Sequence, residues 1–577
     1  MHNANSLGKR KYKQIVSTLR EESVKEAGHL KRSLARLQEV HPQNFDVLQT
    51  AVHDVLADSY SQEVLRCLEE PIKQLEGLPQ QHKGFSQLTT SNLPLFNCLV
   101  SIANRHRTRL LDLCRAVLTA TEAEKTDGLV ADLQNALQCA EEALPPSEAA
   151  KHSNFAAEQE QRPMKIGRPY ETTGLPVSLY HPIFSKFQTL IQDQDPDLSA
   201  RDLSTAFQLI YDAAAVYRTE ANRLTVMTSH FNTLLGHEMY RVTAPYSSAP
   251  DGVIFHGNIP LLVMEATNEV GADESDPDLQ GAFSYRKGWA GTSNSAILNV
   301  CCCPGFVLSV AGPRITIFGA VLAENFIVQP LTETLGLAGF PEPSGRARYL
   351  AKIMVALRTC LEDLKVFYDG LTPAAHPQPT RFWPHFRKYN DFTISYTSRN
   401  LIPGHIGRAM FDVVVTGPNK DQQTPAKVKF TPQYCHLAHA LLAEKQLAPQ
   451  LLHFEKLENG WTVVVMDDIA GPNLESAKLN PVPPRVLKDI KEALVLLHGA
   501  NLVFGDLRRP NIMLCEREQP RGGTEQGAML VDFDWAGEEG KARYPLSLNT
   551  EIPWPEGVEN AGFLRKEHDD AMFELLS

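Results

Sequence analysis

Leu502-Val503-Phe504-Gly505-Asp506-Leu507-Arg508-Arg509-Pro510-Asn511-Ile512-Met513-Leu514, then Ala528-Met529-Leu530-Val531-Asp532-Phe533-Asp534-Trp535 after a Gly-rich loop (Arg521 to Gly527), decides how the last third of this chain folds. Each half is a short apolar run beside a polar cluster, the pattern of strands that deliver side chains to a site at their ends. The apolar stretch Val486 to Leu497 upstream reads as a helix, and Ala426-Lys427-Val428-Lys429-Phe430 and Val463-Val464-Val465-Met466-Asp467-Asp468 read as strands. The segment from about 385 to 577 therefore begins with strands and ends with helices.

An Asp, an Asn five residues later, and an Asp-Phe after an apolar strand resemble the catalytic and metal loops of protein kinases. The resemblance implies a role for each residue. Asp506 accepts or orients the proton of a substrate hydroxyl, and Asn511 and Asp532 hold Mg²⁺ against the phosphates. Arg508 lies near the transferred phosphoryl group. Lys429 pairs with the phosphates, with Lys427 on the same face as its alternative, and Met466, Asp467 and Asp468 border the adenine pocket. ATP and Mg²⁺ are the cofactors so implied, and the substrate is a protein hydroxyl, of Ser or Thr.

More narrowly, residues 385–577 resemble the fungal-type protein kinase-like domain, a divergent branch of the bilobal kinase fold. The shared features are the Lys-Phe strand end, the Ala448-Pro449 step, and the Gly-Asp-Leu-Arg-x-x-Asn loop. Three departures stand out. Phe504 replaces the usual His, Asp534 replaces the Gly of Asp-Phe-Gly, and of the Gly-rich nucleotide loop only Gly404 and Gly407 remain. The helix glutamate that would pair with the lysine has no clear counterpart, since Glu444 comes late in its helix. A pseudokinase is the alternative.

Residues 170–345 read as a mixed α/β domain, a helix and then short apolar runs (Gly252–Phe255, Leu261–Met264, Phe306–Val310, Ile315–Phe318), with turns at Asn258 and Gly312-Pro313. Glu220 falls on a helix over 216–228, Asp251 opens one strand, Glu265 ends the next, and Gln280 lies on a following helix. That order resembles restriction-endonuclease-like nucleases, where two strand-end carboxylates hold a metal ion that neutralises the phosphate before attack. With the C-terminal segment it resembles crinkler-type proteins. The position of the expected lysine is Thr267; Arg286 and Lys287 are the nearest candidates for a displaced cation.

The remaining organisation is a helical scaffold or partner-binding region over 1–150, a linker over 151–169, and a helix with a Pro-rich joint over 346–384. The whole reads as a multidomain α and α+β chain. Lys9 to Lys13 reads as a nuclear import signal or a solvated tail. His436 and His439 read as helix-face residues, and the ten cysteines as reduced thiols. No apolar span reaches membrane length, so the expectation is an intracellular protein of the cytoplasm or nucleus.

Among the 577 residues, 56 Lys+Arg face 68 Asp+Glu, a net charge of −12. Residues 251–300 carry 2 and 7, residues 501–577 carry 8 and 15, and the rest balance at 46 each. The acidity is thus confined to the two candidate sites. It argues against binding of nucleic acid by general attraction and is compatible with Mg-ATP. The expected function is an atypical protein kinase with a degenerate nuclease-like domain. The alternatives are a metal-dependent nuclease or DNA-binding effector with a regulatory pseudokinase, and a non-catalytic interaction protein.

Overall fold

A computed structural model describes residues 128–577, apart from 194–196, 243–249, 272–273, 291–293, 401–408, 419–422, 459, 470, 519–522 and 577. The helical region expected before residue 128, the basic Lys9–Lys13 cluster, and Gly404 and Gly407 lie outside the described residues. The described chain is a mixture of helix and sheet built around two six-stranded sheets. No helix among the described residues is long and apolar enough to cross a membrane.

The first sheet runs β1 (Gly252–His256), β2 (Ile259–Thr267), β3 (Gly305–Ala311), β4 (Arg314–Leu322) and β5 (Phe326–Pro330) in spatial order, with β6 (Leu335–Gly336) on β4. All pairs are antiparallel except β2 with β3. Parallel neighbours need a crossover, which α4 (Pro277–Ala290) supplies while packing on both strands. All nine residues of β2 are buried, the near-continuous apolar run of a strand covered on both faces. Two-residue turns close β1–β2 and β3–β4. They need the left-handed backbone that glycine adopts freely, and Gly257 (φ +59°) and Gly312 (φ +55°) provide it.

Helices α1 (Pro182–Gln192), α2 (Ala200–Ala213), α3 (Glu220–Leu235) and α5 (Ser344–Asp369) pack on one another. The helix expected over 216–228 starts instead at Glu220, because the Thr219 side chain caps it by accepting from the Asn222 backbone. Helix α5, the helix expected over about 346–368 ahead of the Pro-rich joint, belongs to this layer. Its Leu350, Ile353, Met354, Leu357, Leu361 and Leu364 are buried there.

The second sheet is antiparallel throughout, ordered β11 (Leu451–Lys456), β12 (Thr462–Asp467), β10 (Gln423–Thr431), β9 (Ala409–Thr416), β8 (Phe392–Asn400) and β7 (Lys388–Tyr389). Helix α6 (His436–Ala443) lies between β10 and β11 in the chain. Beyond β12 come α7 (Pro484–Gly499), β13 (Leu502–Val503), the hairpin β14 (Ile512–Glu518) and β15 (Thr524–Leu530), β16 (Gly537–Glu538) on β13, and α8 (Lys566–Glu574). The segment read as a Gly-rich loop through Gly527 is in fact half strand. Gly527 lies inside β15, where a Cβ would fall 2.5 Å from Asp489 Oδ2.

The apolar core divides unexpectedly. Ile394, Phe411, Val413, Val428, Phe430 and Val463 of the second sheet join one continuous core with the first sheet, whereas α6, α7 and the hairpin share another. Arg381 fastens the first of these cores. Fully buried, it donates to the carbonyls of Leu298 (2.7 Å), Leu322 (2.8 Å) and Ala323 (2.8 Å). Arg399 of β8 pairs with Glu324 at 2.9 Å. Arg381→Met keeps the stem but strands three acceptors, so it should cost about 3 kcal/mol. Denaturant unfolding checks this; a loss below about 0.5 kcal/mol would remove the fastening role.

Candidate active site

Lys429 sits in β10, paired across the sheet with Met410 and Val464. Alternation along the strand puts Lys427 on the same face, so sequence alone leaves both available. The structure separates them by what lies opposite. Lys429 Nζ donates to Asp532 Oδ1 and Asp534 Oδ1, each at 2.6 Å, and is 1% exposed. Lys427 pairs instead with Asp412 and, at 3.3 Å, with Asp468. Burial alone pushes the Lys429 ammonium down; the charges of Asp532 and Asp534 outweigh it and hold the group above its ordinary value.

Asp534 is the residue that sequence reasoning undervalued. It read as a departure from glycine, yet it is the second carboxylate on Lys429. Glu444 is exposed at the C-cap of α6. The available clue was the spacing of Asp532 and Asp534, two residues apart around a Phe. Asp532 has φ +71°, a backbone turn rare for a non-glycine residue and found mostly where surroundings enforce it. Phe533 between them is buried and stacks on the His439 ring at 4.8 Å, while Phe504 meets it edge-on at 5.5 Å. Phe504 thus does apolar packing where a His was expected. His439 bonds Tyr434 Oη (2.7 Å) and the Pro449 carbonyl (2.8 Å), and burial lowers its pKa to about 4.

The Asp506 loop is held from three sides. Gly505 has φ +78°, and a Cβ there would lie 2.9 Å from Leu564. The backbone N–H groups of Phe504 and Gly505 both donate to Asp569 of α8, each at 2.8 Å. Asn511 Nδ2 donates to the Asp506 carbonyl (2.9 Å) and to its Oδ2 (2.8 Å), which explains the five-residue spacing. Arg508 closes on the same carboxylate through Nε to Oδ1 and Nη2 to Oδ2, the latter at 2.8 Å. Expected beside a phosphoryl group, Arg508 is here the cap on Asp506. Burial raises the Asp506 carboxyl above its ordinary value, with the Arg508 hydrogen bond the strongest opposing influence.

Met466 and Asp467 end β12, where Met466 is buried between Lys427 and Leu451 in register and Asp467 N donates to the Gln450 carbonyl at 3.0 Å. Burial raises the Asp467 carboxyl, and Asp468 is engaged with Lys427.

In the first sheet, Glu265 lies within β2 rather than at its end. It accepts from Gln280 (2.7 Å) and Ser284, both on α4. Burial, then the charge of Asp251, then more weakly that of Glu220, drive its pKa up to about 8. The three carboxylates read from sequence are therefore electrostatic neighbours. Their oxygens have other partners. Asp251 accepts from Ala266 N (2.9 Å) and pairs with Arg241 (3.3 Å). Thr267 donates to the Glu269 carbonyl. Arg286 pairs with Glu158 and Lys287 donates to the Glu141 carbonyl, so neither displaced cation faces Glu265. Among the described residues no group of three or more His, Cys, Asp or Glu is placed to hold a metal.

No family model and no curated protein matches this chain. Among solved structures, it is similar to the Cydia pomonella Granulovirus kinase PK-1, with a TM-score of 0.24 and 16% identity over 32% of this chain and 68% of that one. It is likewise similar to vaccinia related kinase 3, with a TM-score of 0.24 and 16% identity over 32% of this chain and 62% of that one.

Glu265 yields a pH prediction. Its folded pKa of about 8 stands above the ordinary 4.5, so the unfolded chain releases this proton first. The group therefore costs stability progressively from pH 4.5 to 8 and not further above. Glu265→Gln should gain on wild type across that window, by up to about 1.4 kcal/mol per pH unit, in denaturant titrations at stepped pH. A difference that is flat with pH would refute the assignment. Asp569→Ala, which strands two buried N–H groups, should cost about 2–4 kcal/mol, read in the same titrations.

Proposed function

We propose that this chain is a protein-kinase-like phosphotransferase that passes the γ-phosphoryl group of a nucleoside triphosphate to a protein hydroxyl. The observation that carries the reading is Lys429, reaching from the second sheet to Asp532 directly beside the loop of Asp506 and Asn511. That arrangement puts a buried cation, two carboxylates and an amide at one place between the two apolar cores. The donor set fits Mg²⁺, a hard cation that takes oxygen ligands: the Asp532 carboxylate and the Asn511 amide oxygen would hold it. Bound Mg-ATP supplies the phosphoryl group and the charge that neutralises it.

The chain's own residues then divide the work. Lys429 orients phosphate oxygens and pairs with Asp532. Asp506, on the loop that Asp569 pins at Phe504 and Gly505, orients the acceptor hydroxyl and takes its proton. Met466 and Asp467 border the base. Mg-ATP should raise the melting temperature of the wild-type chain, and Asp532→Ala should abolish that rise and lower phosphotransfer at least ~100-fold. Lys429→Met should weaken nucleotide binding. A shift without transfer would make the domain a nucleotide-binding pseudokinase; no shift at all would remove the reading.

A second reading rests on Glu265 and its neighbours Asp251 and Glu220. Clustered carboxylates, one with a strongly raised pKa, mark candidate sites. Plasmid incubation with Mg²⁺ or Mn²⁺ tests it. The reading requires cleavage that Asp251→Ala with Glu265→Ala abolishes.

A further inference from the structure

Arg508 does more than cap Asp506. Its guanidinium carbon also lies 5.7 Å from the Trp535 ring centroid and 5.3 Å from that of Trp554. The two indoles stand 5.8 Å apart at 42°, forming a shelf that one guanidinium already occupies. Both rings are braced. Trp535 meets the buried Tyr544 edge-on at 6.1 Å, and Trp554 Nε1 donates to the Asn549 carbonyl at 2.9 Å. Aromatic faces attract cations most strongly where water is partly excluded, and both tryptophans and Arg508 are half-buried.

The shelf lies one guanidinium away from the carboxylate assigned to the acceptor hydroxyl. While Arg508 is there, Asp506 Oδ1 accepts from Nε, and Oδ2 accepts from both Nη2 and Asn511. Both oxygens of Asp506 are thus engaged, and an acceptor hydroxyl must displace one of these donors to reach the carboxylate. Around the shelf, the segment carrying Trp554 presents exposed Glu551, Glu556 and Glu559. Those three exposed carboxylates draw a cationic partner and repel an anionic one.

We propose that the Trp535–Trp554 shelf is the acceptor subsite for a basic peptide, and that Arg508 fills it as an intramolecular stand-in for the peptide's guanidinium. The inference rests on the phosphotransferase reading for what the acceptor is. It adds a substrate class and a form of self-restraint, in which the peptide's cation and Arg508 compete for one place and displacement of Arg508 uncovers Asp506.

The probe is a ten-residue peptide with an arginine two residues before a serine, alongside the same peptide with neutral citrulline at that position. Each is titrated into the full chain by calorimetry and by tryptophan fluorescence. The arginine peptide should bind about 10-fold more tightly than the citrulline peptide. Trp554→Leu should erase the difference and the fluorescence change. Arg508→Met, which removes the guanidinium from the shelf, should tighten the arginine peptide several-fold, an effect that a purely structural Arg508 would not produce. Equal affinities, no binding of either peptide, or an Arg508→Met chain that binds no more tightly would each overturn the proposal; if Trp554→Leu does not fold, the Arg508→Met comparison decides alone. Nucleotide binding is read separately from the Mg-ATP melting shift. A shift without peptide preference leaves the phosphotransferase and removes the subsite, and preference without a shift does the reverse.

Discussion

A buried ammonium needs compensation, and in this chain Lys429 finds it in Asp532 and Asp534 at 2.6 Å each. Removing a single charge from water costs several kcal/mol even after relaxation, so the site is stable only as a set. The set joins the two apolar cores. Lys429 comes from the sheet whose core continues into the first sheet, and both carboxylates follow the hairpin of the other core. One positive and two negative charges leave an excess of negative charge at the site. The stacking of Phe533 on His439 fixes the turn that sends the two carboxylates to the same ammonium. The neutral state of that imidazole keeps a further positive charge away from Lys429.

The division of the cores changes what counts as a structural unit. The sequence suggests a boundary in the Pro-rich joint near residue 380, but Arg381 holds that segment to the Leu298 and Leu322–Ala323 carbonyls, Trp383 stacks on Tyr396 of β8, and Arg399 of β8 pairs with Glu324. The link between the two apolar cores is instead Lys429 of β10 on Asp532 and Asp534.

The first sheet shows how burial reverses the meaning of a carboxylate. Asp251 and Glu265 read from sequence as a pair poised for a cation, yet the nearest basic side chains on α4 face other elements, and Glu265 is instead held by hydroxyl and amide donors. A carboxyl with a pKa near 8 is mostly neutral at physiological pH, which relieves the repulsion that three ionised groups would suffer. The same low-dielectric setting that suppresses a charge at Glu265 preserves one at Lys429, because only the latter has ionised partners of opposite sign.

By itself the sequence determined what depends on short spacing. The apolar runs of β2, β3, β10 and β12, the glycine turn at 312, and the Asp506–Asn511 interval were all legible, since side-chain alternation, turn geometry and a five-residue loop are local properties. Strands β8 and β9 and the strand half of the Gly-rich segment escaped, because their polar positions resemble loop sequence until neighbouring strands satisfy the backbone. The tertiary structure alone decided which lysine meets Asp532, 103 residues away, and that Asp534 completes the pair. It also decided that Asp569 pins the Asp506 loop and that Arg286 and Lys287 turn away from Glu265. Those choices depend on desolvation and on which charges face one another across separate elements, and no periodicity in the chain encodes that.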